Sequence, residues 1–150
     1  MSSKATSRNT EVAEQAARLR LAITRTARRL RQSAGSELGP STAAALASIE
    51  RRGPLTPSGL ADAEGIRRPT ATRIIARLEE EGLAERTADP TDRRCALISV
   101  TPAGRELLRR LRGRKTAYLA RHLAELPAEE AATLERAAGI LERMLEEERS

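Results

Sequence analysis

The stretch from Gly65 to Thr101 reads G-I-R-R-P-T-A-T-R-I-I-A-R-L-E-E-E-G-L-A-E-R-T-A-D-P-T-D-R-R-C-A-L-I-S-V-T. It divides into a helix, a tight exit, a strand, a charged loop and a second strand. Gly65 and Gly82 bracket the helix, because glycine takes left-handed backbone without steric cost. Pro69 sits near the first turn, where its missing N–H is harmless. Ala71, Ile74, Ile75 and Leu78 fall three and four apart and form one apolar stripe. Thr70, Arg73 and Arg77 lie on another face. The charges run against the helix macrodipole: Arg67, Arg68, Arg73 and Arg77 fill the start and middle, and Glu79, Glu80 and Glu81 close it. Each misplaced end charge costs roughly 0.3–1 kcal/mol at low salt. Cations and free N–H groups at a helix N-terminus suit a phosphate backbone. The plain alternative is a solvated face, rich in arginine because the whole chain is.

The segment after the helix sharpens the reading. Leu83–Thr87 and Cys95–Val100 are short strand candidates, with Ala96, Ile98 and Val100 alternating onto one face. Between them, Asp89-Pro90 carries turn chemistry and the tip holds Asp92, Arg93 and Arg94. An arginine on a thin hairpin fits a narrow minor groove, where the potential is most negative. Upstream, Thr56 and Pro57 read as N-cap and first residue of a short helix, and Leu55 is placed to staple onto Leu60. The pair Thr56–Glu64 and Arg67–Glu81 then forms a helix-turn-helix, and the hairpin is its wing.

The ordered set Thr56-Pro57, Leu60-Ala61, Gly65-Ile66, Pro69-Thr70, Arg73, Leu78-Glu79, Gly82-Leu83, Arg86, Asp92-Arg93-Arg94 and Val100-Thr101-Pro102-Ala103-Gly104 resembles the MarR family of transcriptional regulators. The match is close from about Leu38 to Leu108. Gly59 departs from it, since the family often has an acid there, so the capping box is missing and the helix start is expected to be weaker by about 1 kcal/mol. The resemblance implies a homodimeric, mostly helical DNA-binding protein, often released from DNA by a small molecule. It also implies that Asp92 braces the wing by pairing with an arginine, Arg94 or a helix residue such as Arg77.

The formal charge of +6 fits an acidic partner, nucleic acid or an anionic membrane. Totals do not locate the interface, because residues 41–104 hold nine arginines against nine acids. Placement has to carry the inference. Tyr118 is the only aromatic residue, which disfavours single-strand binders that stack bases on aromatic rings. The single cysteine excludes an internal disulfide, and no Cys/His spacing suits zinc. No apolar run reaches transmembrane length and no signal-peptide core is visible, so a cytoplasmic protein without membrane partners is expected.

Residues 1–10 read as a disordered tail, and 11–150 as a single domain. Its winged helix-turn-helix core spans about 40–104, and long helices at about 11–34 and 105–149 serve dimerisation. In the first helix Val12, Ala16, Leu19, Ile23, Thr26 and Leu30 repeat by four and three, the spacing of a coiled-coil seam. Ser41–Arg52 turns Ala45, Leu46 and Ile49 inward. Thr101-Pro102 opens a helix to about Leu126, with Gly113 as a soft spot. Pro127 opens the last helix, 128–149, where Leu134, Ala138, Leu141 and Leu145 repeat. Seams at both ends point to packing across a two-fold axis; the alternative is that both helices fold back on their own domain. The fold class is therefore mainly α with a small β-hairpin wing.

Catalysis finds little support. His122 is the only histidine and lies on an apolar helical face; no metal cluster, phosphate-cradling loop or nucleophile motif is present, and no cofactor is implied. Cys95 lies beside Arg93 and Arg94, which could lower its pKa, but a small strand residue is the simpler reading. The basic run Arg105, Arg109, Arg110, Arg112, Arg114 and Lys115 either reaches flanking phosphates or balances the acidic last helix. The reading is a homodimeric repressor on double-stranded DNA, binding a pseudo-palindromic operator. Thr70, Thr72, Arg73 and Arg77 face the major groove, Arg67 and Arg68 hold the backbone, and Arg94, or alternatively Arg93, enters the minor groove. Ile23, Leu46 and Leu111 are candidates to line a pocket for a small apolar or phenolic effector. The alternative is an architectural or protein-interaction module on the same fold, without effector or sequence specificity.

Overall fold

The computed structural model describes residues 2–35 and 38–147. Its order is α1 (Ser2–Ala34), α2 (Pro40–Arg52), α3 (Pro57–Glu64), α4 (Arg68–Glu80), β1 (Ala84–Ala88), β2 (Ala96–Val100), α5 (Pro102–Ala124) and α6 (Ala128–Glu147). Mainly helical architecture with one two-stranded wing follows, as the sequence predicts. Helix α1 begins at Ser2, so the segment 1–10 is helical from its second residue, where a disordered tail was expected. Each strand starts one residue later than its alternation implies. Helix α5 runs unbroken through Gly113, since one glycine costs a long helix only about 1 kcal/mol.

The core sits where α2, α3, α4, the wing and the first turns of α5 meet. Leu46, Ile49, Leu60, Ile75, Leu78 and Ile98 are almost wholly removed from solvent. Burying each such side chain contributes about 1.5–3 kcal/mol. The stripe Ala71, Ile74, Ile75 and Leu78 is buried as its spacing predicts. The strands pair antiparallel, with Ala84 opposite Val100 and Ala88 opposite Ala96. That register turns Ile98 and Val100 into the core.

Two joints fix the wing to the helices. Leu55 and Ile98 exchange backbone hydrogen bonds of 3.0 and 2.7 Å, which adds a one-residue third strand to the hairpin. At the other joint, Thr101 Oγ1 donates to the Gly82 carbonyl at 2.6 Å and accepts from the Gly104 N–H at 3.1 Å. It thus caps α5 while holding the exit of α4. Gly104 is required there: a Cβ would lie 2.2 Å from the Leu83 carbonyl oxygen.

The two terminal helices behave differently. From residue 7 to 26 every side chain of α1 is exposed, and only its last two turns pack inward. Helix α6 buries none of its described side chains. Leu19, Ile23, Leu134, Ile140 and Leu145 stand open to solvent. No helix among the described residues is long and apolar enough to cross a membrane.

Candidate nucleic-acid interface

Helix α3 starts at Thr56, whose Oγ1 accepts from the Gly59 N–H at 3.0 Å. The cap forms although Gly59 cannot return the second bond of a capping box. Gly65 ends α3 with φ +62°, a left-handed turn that redirects the chain into α4. Buried Ser48 ties α2 to α3 by donating to Glu64 Oε1, and it accepts from Arg51. The helix-turn-helix is therefore held by caps and polar links as well as by its apolar stripe.

The N-terminus of α4 carries no side-chain cap. Arg67 and Arg68 flank it, and Thr72 and Arg73 lie exposed one turn on, with Thr70 half-buried. The Thr72 hydroxyl donates to the Arg68 carbonyl at 3.0 Å, so its oxygen remains free to accept. Arg67, Arg68, Arg73, Arg93 and Arg94 enter no ion pair among the described residues.

Two other arginines of this region are engaged. Arg77 Nε pairs with Glu81 at 3.0 Å, and Arg86 Nε on β1 pairs with Glu79 at 2.9 Å. The acids at the end of α4 thus have structural partners, which accounts for part of the reversed charge order. Arg77 also lines a cleft with Leu38, Leu83, Leu107, Arg110 and Arg114. Neither Arg67 nor Arg68 lines that cleft.

The wing tip is built from two successive aspartate turns. Asp89 Oδ1 accepts from the Thr91 N–H at 2.9 Å and the Thr91 hydroxyl at 2.8 Å. Those donors, the backbone one foremost, hold its carboxyl below the ordinary value. Asp92 Oδ1 accepts from the Arg94 N–H at 3.0 Å, and the Asp92 carbonyl accepts from the Cys95 N–H at 3.0 Å. No guanidinium lies within ion-pair distance of Asp92 among the described residues. The expected arginine pair is thereby corrected: an aspartate two residues before a turn N–H closes the turn locally, with no long side chain to order. The guanidiniums of Arg93 and Arg94 are left exposed.

At Cys95 the Asp92 carboxylate pushes the thiol up, so the lowering that Arg93 and Arg94 could have given does not occur, in keeping with the simpler reading. A thiol held protonated is a poor nucleophile.

The effector candidates do not come together. Leu46 is sealed in the core, and Ile23 is exposed on α1. Leu111 alone faces an opening, a cleft of about 700 Å³ between α1, α2 and α5 lined also by Ala43, Ala47, Leu108, Arg28 and Lys115. Leu46 was misassigned because the inner face of α2 is one stripe, and spacing does not say which stripe residues border a void. In the basic run of α5, Arg109 pairs with Glu106, Arg112 with Glu50, and Arg114 donates to the Ala34 carbonyl at 2.9 Å. Those three serve the chain's own packing. Sequence reasoning missed Arg114 as the cap of α1, since a contact spanning 80 residues leaves no local signal.

The family model for the MarR family matches residues 38–96. An HTH-type transcriptional regulator of Mycobacterium bovis is 35% identical over 130 residues, covering 86% of this chain and 91% of that one. The transcriptional repressor MprA of Escherichia coli is 44% identical over 55 residues, 37% of this chain and 31% of that one. A solved structure of a Pseudomonas aeruginosa protein described as a transcriptional regulator superposes with a TM-score of 0.80 at 34% identity, covering 90% of this chain and 96% of that one.

Proposed function

The chain belongs to the MarR family, and from that premise we propose that it is a homodimeric repressor whose two winged helices grip a pseudo-palindromic operator. It is a transcriptional regulator with a DNA-binding winged helix. The observation that carries the finer reading is the set of arginines without ion pairs at the start of α4 and on the wing tip. Among the described residues of this region Arg77 and Arg86 find carboxylates, while Arg67, Arg68, Arg73, Arg93 and Arg94 do not.

Their placement supports the following roles. Thr72 and Arg73 read base edges from the major groove, with Thr70 beside them. Arg67 and Arg68 hold phosphates at the uncapped N-terminus of α4, where backbone donors and the dipole favour an anion. Arg94 enters the minor groove, with Arg93 on the flanking phosphate. Arg77 contributes to DNA only by exchanging Glu81 for a phosphate. Asp92 acts as the wing brace through the backbone of the tip.

Dimerisation is supported by α1 and α6, whose exposed apolar residues find no cover among the described residues. Two copies bring paired α4 helices to successive major grooves, about 34–36 Å apart. MprA carries repressor in its name, which supports a repressor role here. A small apolar or phenolic effector occupies the cleft beside Leu111 and Leu108, with Arg28 and Lys115 to meet a phenolate oxygen. Selection of bound sequences from a random DNA pool tests the proposal. An enriched inverted repeat with half-sites one helical turn apart supports it; a pool that stays unenriched favours an architectural module.

A further inference from the structure

The charges of the two helices at the ends of the chain are segregated. Helix α1 carries seven arginines and one lysine against two glutamates, and α6 carries six glutamates against two arginines. Among the described residues, no arginine of α1 and no glutamate of α6 enters an ion pair. On the inner side of α1 the imbalance is concentrated. Arg29 Nε donates to the Tyr118 hydroxyl at 3.3 Å, and the guanidiniums of Arg29 and Arg121 lie 6.0 and 5.7 Å from the Tyr118 ring centre. His122 meets the same ring edge-on at 4.5 Å. Two guanidiniums and an imidazole thus gather on one phenol, and none of them enters an ion pair among the described residues.

Both helices also leave apolar residues open: Val12, Leu19 and Ile23 on α1, Leu134, Met144 and Leu145 on α6. In α6, Glu135 and Glu142 follow Leu134 and Leu141 directly, and so flank its apolar seam as e-type positions flank a coiled-coil core. In α1, Arg20 follows Leu19 in the same way.

We propose that the dimer is addressed by charge: basic α1 of one copy seats acidic α6 of its partner, and the reciprocal contact repeats across the two-fold axis. This rests on the homodimer reading and adds which helix meets which, and why. Like charges on two α1 helices, or on two α6 helices, oppose the homotypic arrangements. Because opposite charges also set partner choice, the pairing discriminates against relatives whose terminal helices lack this segregation.

The test uses two full-length charge-reversed chains. One carries Glu135→Arg, Glu142→Arg and Glu146→Arg on α6; the other carries Arg18→Glu, Arg20→Glu and Arg25→Glu on α1. All six positions are exposed, so each chain should keep its own fold. Self-association is measured by sedimentation, alone and in an equimolar mixture. Each variant alone is expected to dimerise roughly ten-fold or more weakly than the native chain, and the mixture to form a heterodimer near native affinity. The native dimer itself should weaken between about 0.1 and 1 M salt, as the screening length shortens. Variants that self-associate as tightly as the native chain overturn the charge address while leaving the dimer intact, and so does a mixture that stays monomeric. A native chain that is monomeric at every salt concentration overturns the dimer reading, and this inference with it.

Discussion

At the scale of single residues, Asp92 separates two physical pictures. Its carboxylate lies in a tip that faces an anion, so Coulomb repulsion alone predicts that Asp92→Ala tightens DNA binding. Its bond to the Arg94 N–H predicts the reverse, because the tip loses a turn that positions Arg94. Asp92→Ala should therefore weaken operator binding; a titration showing tighter binding would remove the brace. Asp92→Asn, which keeps the acceptor oxygen, should fall closer to the native chain. Arg94→Ala should lower the slope of log affinity against log salt by up to about one unit, and weaken A·T-flanked sites most. An unchanged slope takes Arg94 off the DNA. Asp89 adds a pH dependence. Its folded pKa is depressed, so the turn it stabilises is fully present above the ordinary carboxylate value and is lost as pH falls through the depressed one. Amide resonances of Thr91 followed by NMR should report that loss; resonances that stay fixed through acid would contradict it. Residue roles were legible where a motif carries its own mechanism, as with Thr56 and Thr101, each of which caps a helix that starts with proline. They were not legible for Asp92, because sequence cannot distinguish a carboxylate that bonds a backbone N–H from one that bonds a guanidinium.

At the scale of elements, α4 was readable because burial imposes a 3.6-residue period, and Ala71, Ile74, Ile75 and Leu78 obey it. The Leu55–Ile98 bridge was hidden because a single residue pair has no period to show. The joint at Thr101 predicts its own sensitivity. Gly104→Ala pushes a methyl group into the Leu83 carbonyl and should cost about 1–3 kcal/mol or more, as overpacking does. Thermal denaturation checks this, and an unchanged melting temperature would show that α5 can shift away. The Arg86–Glu79 pair is partly exposed, so Arg86→Ala should cost at most about 1 kcal/mol of stability. Its effect on DNA affinity should exceed that, since the wing then loses its tether to α4.

At the scale of the whole molecule, the proposed dimer rests on the helices at the two ends of the chain. Leu141→Glu places a charge in the α6 seam and should yield monomers that hold DNA weakly, each with only half the contacts. Sedimentation showing an intact dimer would take this seam out of the interface. The apolar residues of the terminal helices, such as Leu19, Ile23, Leu134 and Leu145, were legible from their four-three spacing, and they stand exposed. What covers them was not, since periodicity describes one helix and not its neighbour. The reach of α1 to Ser2 was also missed, because Met1–Thr10 lacks the apolar period that marks packed helices. The central claim is sequence reading by α4, and Arg73 tests it most directly. The measurement is the affinity of Arg73→Ala for the selected operator and for a scrambled duplex at one salt concentration. The predicted result is a loss of about 1–3 kcal/mol on the operator with little change on scrambled DNA. Equal losses on both would contradict it and leave Arg73 as a phosphate contact.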